Sequence, residues 1–376
     1  MQLFADLLLT ELLKRGIDVV LLRPEPLAGR LKPGASGVGK WLGYLDKGLA
    51  FPRQLRRATL AKDGKAVVHV CDHSNAFYTR HLAHVPHVVT CHDLLAVRSA
   101  RGEFPENPTR WSGRLLQRLI VDGLNRAQAV ACDSEATLAD LLRSTAVPKE
   151  KAGVIFPSLN REFRPLPRSE AWRVIRERLG TVADQPFLYL FHVSGNHWYK
   201  HRSGVLRLFC EVRQKMPGRL RLIMAGSPLD PELERLREEL NLGEDLLVAP
   251  DCTNSELEAF YSAAEALLFP SVAEGFGWPI IEAQACGCRV VTSDAAPMTE
   301  LGGEAALYLE LPSRGTRADP LWARAGAERV RLLLEEDERA RETRIQLGFK
   351  NVARFSAANM IEGYMHLYER VISEAA

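Results

Sequence analysis

The sequence predicts an α/β protein of two doubly wound parallel-sheet domains facing a cleft, the first lacking its first strand. Three features point there. Short apolar runs alternate with amphipathic segments in both halves of the 376 residues, the pattern of parallel strands joined by helical crossovers. A Pro- and Arg-rich stretch, REFRPLPR at 161–168, separates the halves and reads as a linker. The segment FPSVAEGFGWPIIEAQACGCRVVTSD, 269–294, runs from an apolar strand through a Gly-rich turn and a helix into a second apolar strand.

In the first half, strands are expected at 17–22, 66–71, 87–91, 129–132 and 153–156, with helices at 2–15, 110–125 and 135–143. In the second half, strands are expected at 187–193, 220–225, 246–249, 266–269, 289–292 and 306–309, with helices at 204–215, 231–240, 255–264 and 279–285. Residues 1–165 thus form one domain, 166–355 a second, and 356–376 a helix expected to pack back across the lobes. The chain opens in a helix, without the strand and Gly-rich turn that usually begin a doubly wound domain. Either that strand is absent or Met1 is an internal methionine of a longer protein.

Apolar residues make up 46% and charged residues 26%, ordinary for a globular protein. No apolar run is long enough to span a membrane. The opening MQLFADLLLTELLKRG carries Asp6 and Glu11 and no small-residue cleavage site, so it does not read as a signal peptide. Seven dispersed cysteines argue for reduced thiols and a cytoplasmic protein. The net charge of +2 hides an asymmetry: residues 1–165 hold 24 Lys and Arg against 16 Asp and Glu. A basic first half suits an anionic membrane surface or a phosphorylated acceptor, and equally well a solvated surface.

Two glutamates, Glu274 and Glu282, stand eight positions apart, one at the Gly-rich turn and one on the following helix. A strand–turn–helix unit aims backbone N–H groups and the positive end of a helix at one point, which suits a phosphate. Ionised carboxylates only accept hydrogen bonds, and sugar hydroxyls donate them. Gly275, Phe276, Gly277 and the two carboxylates therefore read as a site for a sugar attached to a phosphate.

With these residues in view, the chain resembles the group 1 (family four) glycosyltransferases of the GT-B fold, two Rossmann-like domains across a cleft, which implies that 1–165 is the acceptor-side domain and 166–355 the nucleotide-sugar-binding domain. The likeness covers nearly the whole length and is strongest from 186 to 310. The E-x7-E pattern is that family's most specific motif. The resemblance implies that Glu274 lies beside the donor sugar, Glu282 holds the ribose, the Gly275–Gly277 N–H groups contact the sugar, and the helix end faces the diphosphate. In HVSGNHWYKHRSG, 192–204, it implies that Lys200 neutralises donor phosphate. Relatives often carry arginine earlier in this loop or beside the lysine; here those places hold Gly195 and Tyr199, leaving Arg202 as the candidate second cation. Trp198 stacks on the base or packs. His92, at a strand end in VVTCHDLLA, is expected to face the donor sugar, and Asp72, His73 and Asp93 the acceptor side. Ser134 in CDSEATLADL reads as a helix N-cap.

The resemblance further implies an enzyme that moves a hexose from a nucleotide-diphosphate sugar to a hydroxyl of a glycan or lipid-linked acceptor. It implies retention of configuration and a setting in surface polysaccharide synthesis. Glu274, His92 and Lys200 would be catalytic, with neither metal nor nucleic acid involved. A peripheral position at the inner face of the membrane is a further expectation. A GT-B nucleotide-sugar epimerase and a non-catalytic nucleotide- or glycan-binding protein remain the alternatives, and the base (UDP, GDP or ADP) stays open. Other motifs carry less. The Walker-like 34–40 loop is followed by Trp41 where a Ser or Thr is needed, and Pro86 interrupts any alignment of His81, His84 and His87. Cys286 and Cys288 read as packing residues, and no Asp-x-Asp pair occurs at a strand end.

Overall fold

Two parallel sheets organise the computed structural model, which describes residues 2–24, 51–60, 66–216, 219–312 and 320–375. The 34–40 loop lies outside these residues. The first sheet places β1 (Val68–Val70), β2 (His87–Cys91), β3 (Ala129–Cys132) and β4 (Ala152–Val154) side by side in that order. Every residue of β2 and β3 is buried, which is why both read as unbroken runs of small and β-branched residues.

The second sheet holds β5 (Leu188–Ser194), β6 (Leu220–Gly226), β7 (Leu246–Pro250), β8 (Ala266–Phe269), β9 (Val290–Ser293) and β10 (Leu307–Leu309). Its order is β10-β9-β8-β5-β6-β7. From β5 the chain builds outward through β6 and β7, then returns to β8 on the other side of β5. The reversal makes a topological switch point, and the crevice of such a sheet opens beyond the carboxyl ends of the two strands that flank it. The loops after β5 and β8 carry Lys200 and Glu274.

The 17–22 strand does not form. Ile17 and Val19 are half-buried against the cluster of Phe4, Leu8 and Leu12, while Val20 and Leu21 are exposed. Among the described residues, however, no neighbouring strand pairs with them, and an extended segment without a ladder is not a strand. The helix Gln2–Lys14 precedes it, burying Phe4, Leu8 and Leu12 at four-residue spacing.

The 161–168 stretch is not free of the domains it joins. Phe163 is buried against Tyr261, and the N–H groups of Arg164 and Leu166 donate to Glu258 and Ser262 on the helix Asn254–Ala263. The last helix, Ala357–Ala375, lies on the first sheet, with Met360, Ile361 and Tyr364 against Phe4, Leu8 and Ala131. Its hydroxyls join a buried polar chain. Tyr364 pairs with Thr90 at 2.8 Å, Thr90 with His69 at 2.7 Å, and His69 with Tyr368 at 2.7 Å. Burial pushes His69 down to about 3, so the ring is neutral and offers one donor and one acceptor to that chain.

All seven cysteines are free thiols. Cys286 and Cys288 are buried in the core of the second lobe, and burial raises both. His84 bonds Thr59, and His87 bonds the carbonyls of Val85 and Arg126, so these rings do not converge. Among the described residues, no group of three His, Cys, Asp or Glu side chains forms a ligand set. Nor is any described helix long and apolar enough to cross a membrane.

Candidate functional site

The switch point brings Lys200 and Glu274 together. Lys200 ends a short 3-10 turn, Trp198–Lys200, after β5, and Glu274 lies in the turn after β8. The N–H of Val272 donates to the carbonyl of Tyr199 at 2.8 Å, tying the two loops. Lys200 Nζ then donates to Glu274 Oε1 at 2.6 Å, with only 15% and 7% of the side chains exposed. Nζ also lies 5.1 Å from the Phe269 ring and 5.3 Å from Tyr199. Burial raises the Glu274 carboxyl, and the Lys200 ammonium opposes that rise.

The turn continues into the helix Trp278–Ala285. Gly277 holds φ at +117°, a conformation L side chains rarely adopt, and lacks a side chain that could cap the helix. Pro279 falls in the first turn, where no partner for its nitrogen is needed. No side chain caps the first turn; there Pro279 brings no N–H, and the Ile280 N–H donates to the Gly277 carbonyl at 3.0 Å. Phe276 is buried, anchoring the turn against Trp278 and Phe355. One turn further on, Glu282 accepts a hydrogen bond from Tyr261 at 2.8 Å. Burial raises its carboxyl to about 7 against the pull of Tyr261 and Arg161.

Other predicted site residues take different places. Arg202 is buried and gives its guanidinium to Asn196, to the Ser227 carbonyl at 2.9 Å and to the Pro228 carbonyl at 3.0 Å. It staples the loop after β5 to the loop after β6 and is not a free second cation. Gly195 sits in that stapled loop, within 3.6 Å of Ser227 Oγ for an added Cβ. Trp198 packs against Phe104 of the first lobe at 4.7 Å.

His92 is turned into the first lobe. Cys91 and Cys132 are register partners on β2 and β3, so the next residues, His92 and Asp133, meet beyond the sheet. His92 Nδ1 lies 2.7 Å from Asp133 Oδ2 and Nε2 lies 2.9 Å from the Cys71 carbonyl. Both acceptors favour a proton on each ring nitrogen, the charged form, although burial raises the Asp133 carboxyl as well. Burial opposes that charge, but the Asp133 carboxylate outweighs it and the ring sits above its ordinary range. Phe4 packs edge-on at 5.1 Å. The expected side-chain approach of His92 to a sugar therefore meets no free ring nitrogen. His73 Nδ1 accepts from the His92 N–H at 3.3 Å, Asp72 caps Ser74 at 2.8 Å, and Asp93 caps Leu95 at 3.0 Å. All three are engaged in holding local turns.

The lobes meet at Gly275. A Cβ there would fall 2.2 Å from the His92 carbonyl oxygen and 2.7 Å from Asp93 Cβ. Ser134 accepts the Thr137 N–H at 3.0 Å, the expected cap, and donates to the Gly275 carbonyl at 2.8 Å; Thr137 reaches the same carbonyl at 3.1 Å. Glu300, from the second lobe, accepts the N–H groups of Glu135 and Ala136 at 2.8 and 2.9 Å. A carboxylate from one lobe thus caps the first turn of the helix Glu135–Ser144 in the other. Glu300→Ala should cost about 1–2 kcal/mol in urea-induced unfolding, the usual value of a charged cap. An unchanged midpoint and slope would show that this contact holds nothing. Neither Asp133 nor Glu300 was picked out as a site residue from the sequence. The β2–β3 register locates the first, but nothing local marks the second. A surface depression of about 580 Å³ lined by Arg164, Glu170, Arg173 and Glu256 shares no residue with this constellation.

Comparison with known proteins agrees with this architecture. The Glycosyl transferases group 1 model matches residues 176–347, and the Glycosyltransferase Family 4 model matches 1–163. The D-inositol 3-phosphate glycosyltransferase of Nocardia farcinica is 28% identical over 310 residues, 79% of this chain and 64% of that protein. The Mycobacterium tuberculosis protein of the same name is 32% identical over 219 residues, 56% of this chain and 42% of its own length. The chain therefore spans less than two thirds of these relatives. Among solved structures, Anabaena HepE with UDP and glucose superposes with a TM-score of 0.70 at 18% identity, covering 96% of this chain and 88% of that one. The trehalose 6-phosphate synthase of Burkholderia multivorans gives 0.63 at 14% identity, covering 92% and 78%. These likenesses fix the fold as GT-B. With one family model matching each lobe, the chain belongs to the group 1 glycosyltransferases.

Proposed function

We propose that the protein transfers a hexosyl group, with retention of configuration, from a nucleotide-diphosphate sugar to a hydroxyl acceptor. The carrying observation is the Lys200–Glu274 pair at 2.6 Å beside the uncapped start of the helix Trp278–Ala285, with Glu282 one turn deeper. A diphosphate placed between Lys200 and that helix end meets a point charge and the positive end of the helix. Glu274 then accepts from sugar hydroxyls, and Glu282 from the ribose. In the reaction, the bond from the anomeric carbon to the phosphate oxygen breaks and the acceptor oxygen bonds to that carbon. The acceptor proton passes to the leaving phosphate. Lys200 and the helix end stabilise the charge that grows on the diphosphate, and no metal is needed in this scheme. The lobes, closed at Gly275, keep water from the same carbon.

The donor bound by HepE and the names of the inositol phosphate relatives guide the choice of substrates to try. UDP-sugars come first as donors. As acceptors, phosphorylated polyols stand beside the glycan or lipid-linked compounds of surface polysaccharide assembly. The test is an NMR time course of nucleotide sugar with each acceptor. The reading expects nucleoside diphosphate release and a product with the donor's anomeric configuration. An inverted product would contradict retention, and a changed sugar in the absence of acceptor would make the protein an epimerase.

Glu282 supplies a pH signature. With its carboxyl at about 7, raising the pH through neutrality ionises it and improves its acceptance of ribose hydroxyls. Nucleotide affinity should therefore be roughly 5- to 10-fold weaker near pH 6 than near pH 8, and flat in Glu282→Gln. Folding responds with the opposite sign. A carboxyl raised from 4.5 to about 7 stabilises the folded chain at low pH, and this contribution fades as pH rises across that window. A pH-independent wild-type affinity would remove Glu282 from the ribose.

A further inference from the structure

The helix Trp111–Arg126 carries an amphipathic face that none of the described residues covers. Its inner side buries Ile120, Gly123 and Leu124. There Gly123 lies so close to the segment His73–His81 that a Cβ would fall 2.2 Å from the Ala76 carbonyl oxygen. Beside that buried side Trp111, Leu115 and Leu119 stand four residues apart, one stripe along the helix, with 79%, 51% and 42% of their surface exposed. Leu116 widens the stripe at 41%. A helix on a globular domain normally turns its whole apolar side inward; this one leaves part of that side, toward its first half, uncovered. Arg110, Arg114 and Arg118 are exposed beside the stripe. Among the described residues the ion pair on this helix is Arg126–Asp122, one turn beyond the stripe, and no carboxylate pairs with those three arginines.

We propose that this face docks the first lobe on an anionic lipid bilayer. Trp111, Leu115, Leu116 and Leu119 enter the headgroup boundary, and Arg110, Arg114 and Arg118 meet lipid phosphates. Each residue type suits that place. An indole prefers the polar edge of a bilayer, and leucines bury beneath it. Arginine lays its stem along the apolar layer while its guanidinium reaches phosphate. Charge also selects against a second copy of this chain. A two-fold contact through one stripe would set the arginines of one copy against those of the other. The excess of 24 basic over 16 acidic residues in 1–165 adds long-range attraction to a negative surface. Docking requires no turnover, so it succeeds or fails apart from the transfer reading.

The experiment is co-sedimentation of the full chain with vesicles of phosphatidylcholine alone, or with about a third phosphatidylglycerol, at about 0.1 M and about 0.5 M salt. The wild type should bind the anionic vesicles at least about 10-fold more tightly than the neutral ones, and high salt should weaken that binding. Trp111→Ser/Leu115→Ser and, separately, Arg114→Glu/Arg118→Glu should each weaken it at least about 10-fold. These side chains are exposed, so melting curves should match the wild type. Wild-type protein that ignores anionic vesicles, or variants that bind as well as wild type, would overturn the proposal. So would a wild-type dimer in sedimentation velocity that Trp111→Ser/Leu115→Ser dissolves, because a second copy would then be the occupant.

Discussion

Lys200→Ala is expected to lower kcat/KM for sugar transfer by about 10²- to 10³-fold, the usual loss when one preorganised charge at the leaving group is removed. The same substitution leaves Glu274 almost fully buried without the ammonium 2.6 Å away. An unpaired buried carboxylate is costly, so the variant should also lose stability, by up to about 3 kcal/mol. That loss confuses a structural role with a functional one, and a second substitution separates them. In Lys200→Ala/Glu274→Gln both charges are gone, and the thermal midpoint should return most of the way to wild type. Transfer should stay low, because neither the diphosphate nor the sugar hydroxyls regain their partner. Recovery of transfer together with stability would reduce the pair to a fold-holding contact.

Gly275→Ala is expected to reduce transfer by about 10²-fold or more with little change in nucleotide affinity. The added methyl group would meet the His92 carbonyl oxygen at 2.2 Å, where only backbone movement can make room. The lobes must then part by about an ångström, and misplacing reacting groups by that distance costs on the order of 10²-fold. Parting them also breaks the bonds from Ser134 and Thr137 to the Gly275 carbonyl, and the Glu300 cap. In the proposed site nucleotide binding would draw mainly on Lys200, Glu282 and the helix end, all on the second lobe. Equal losses in affinity and transfer would place the defect in the turn itself and not at the meeting of the lobes.

Much of the architecture was legible in the sequence because parallel strands covered on both faces must be apolar along their length. β2, β3 and β8 match the expected boundaries, and most other strands differ by one to three residues at an end. The meeting of Lys200 with the E-x7-E turn was implied by the family resemblance alone, and the fold supplies its reason. Both lie in loops that leave carboxyl ends of strands, and the strand order makes those ends neighbours. The failures share another cause. The apolar run at 17–22 promised a strand, but a strand also needs a partner, and an apolar run alone does not supply one. Arg202 reads as a cation in any list of charges; only the fold shows Ser227 and Pro228 carbonyls waiting for it. The resemblance implied that His92 faces a sugar, yet the β2–β3 register gives its ring Asp133 as a partner. The Glu300 cap joins residues far apart in the chain, across the two lobes, and no local pattern announces it.

The most direct test of the donor site is calorimetric titration of the purified chain with UDP, GDP and ADP, repeated on Lys200→Ala and Glu282→Ala. The account predicts micromolar binding of one nucleotide, weakened at least about 10-fold in each variant. A folded protein that binds none of the three, or binds one equally well without Lys200 and Glu282, would contradict it.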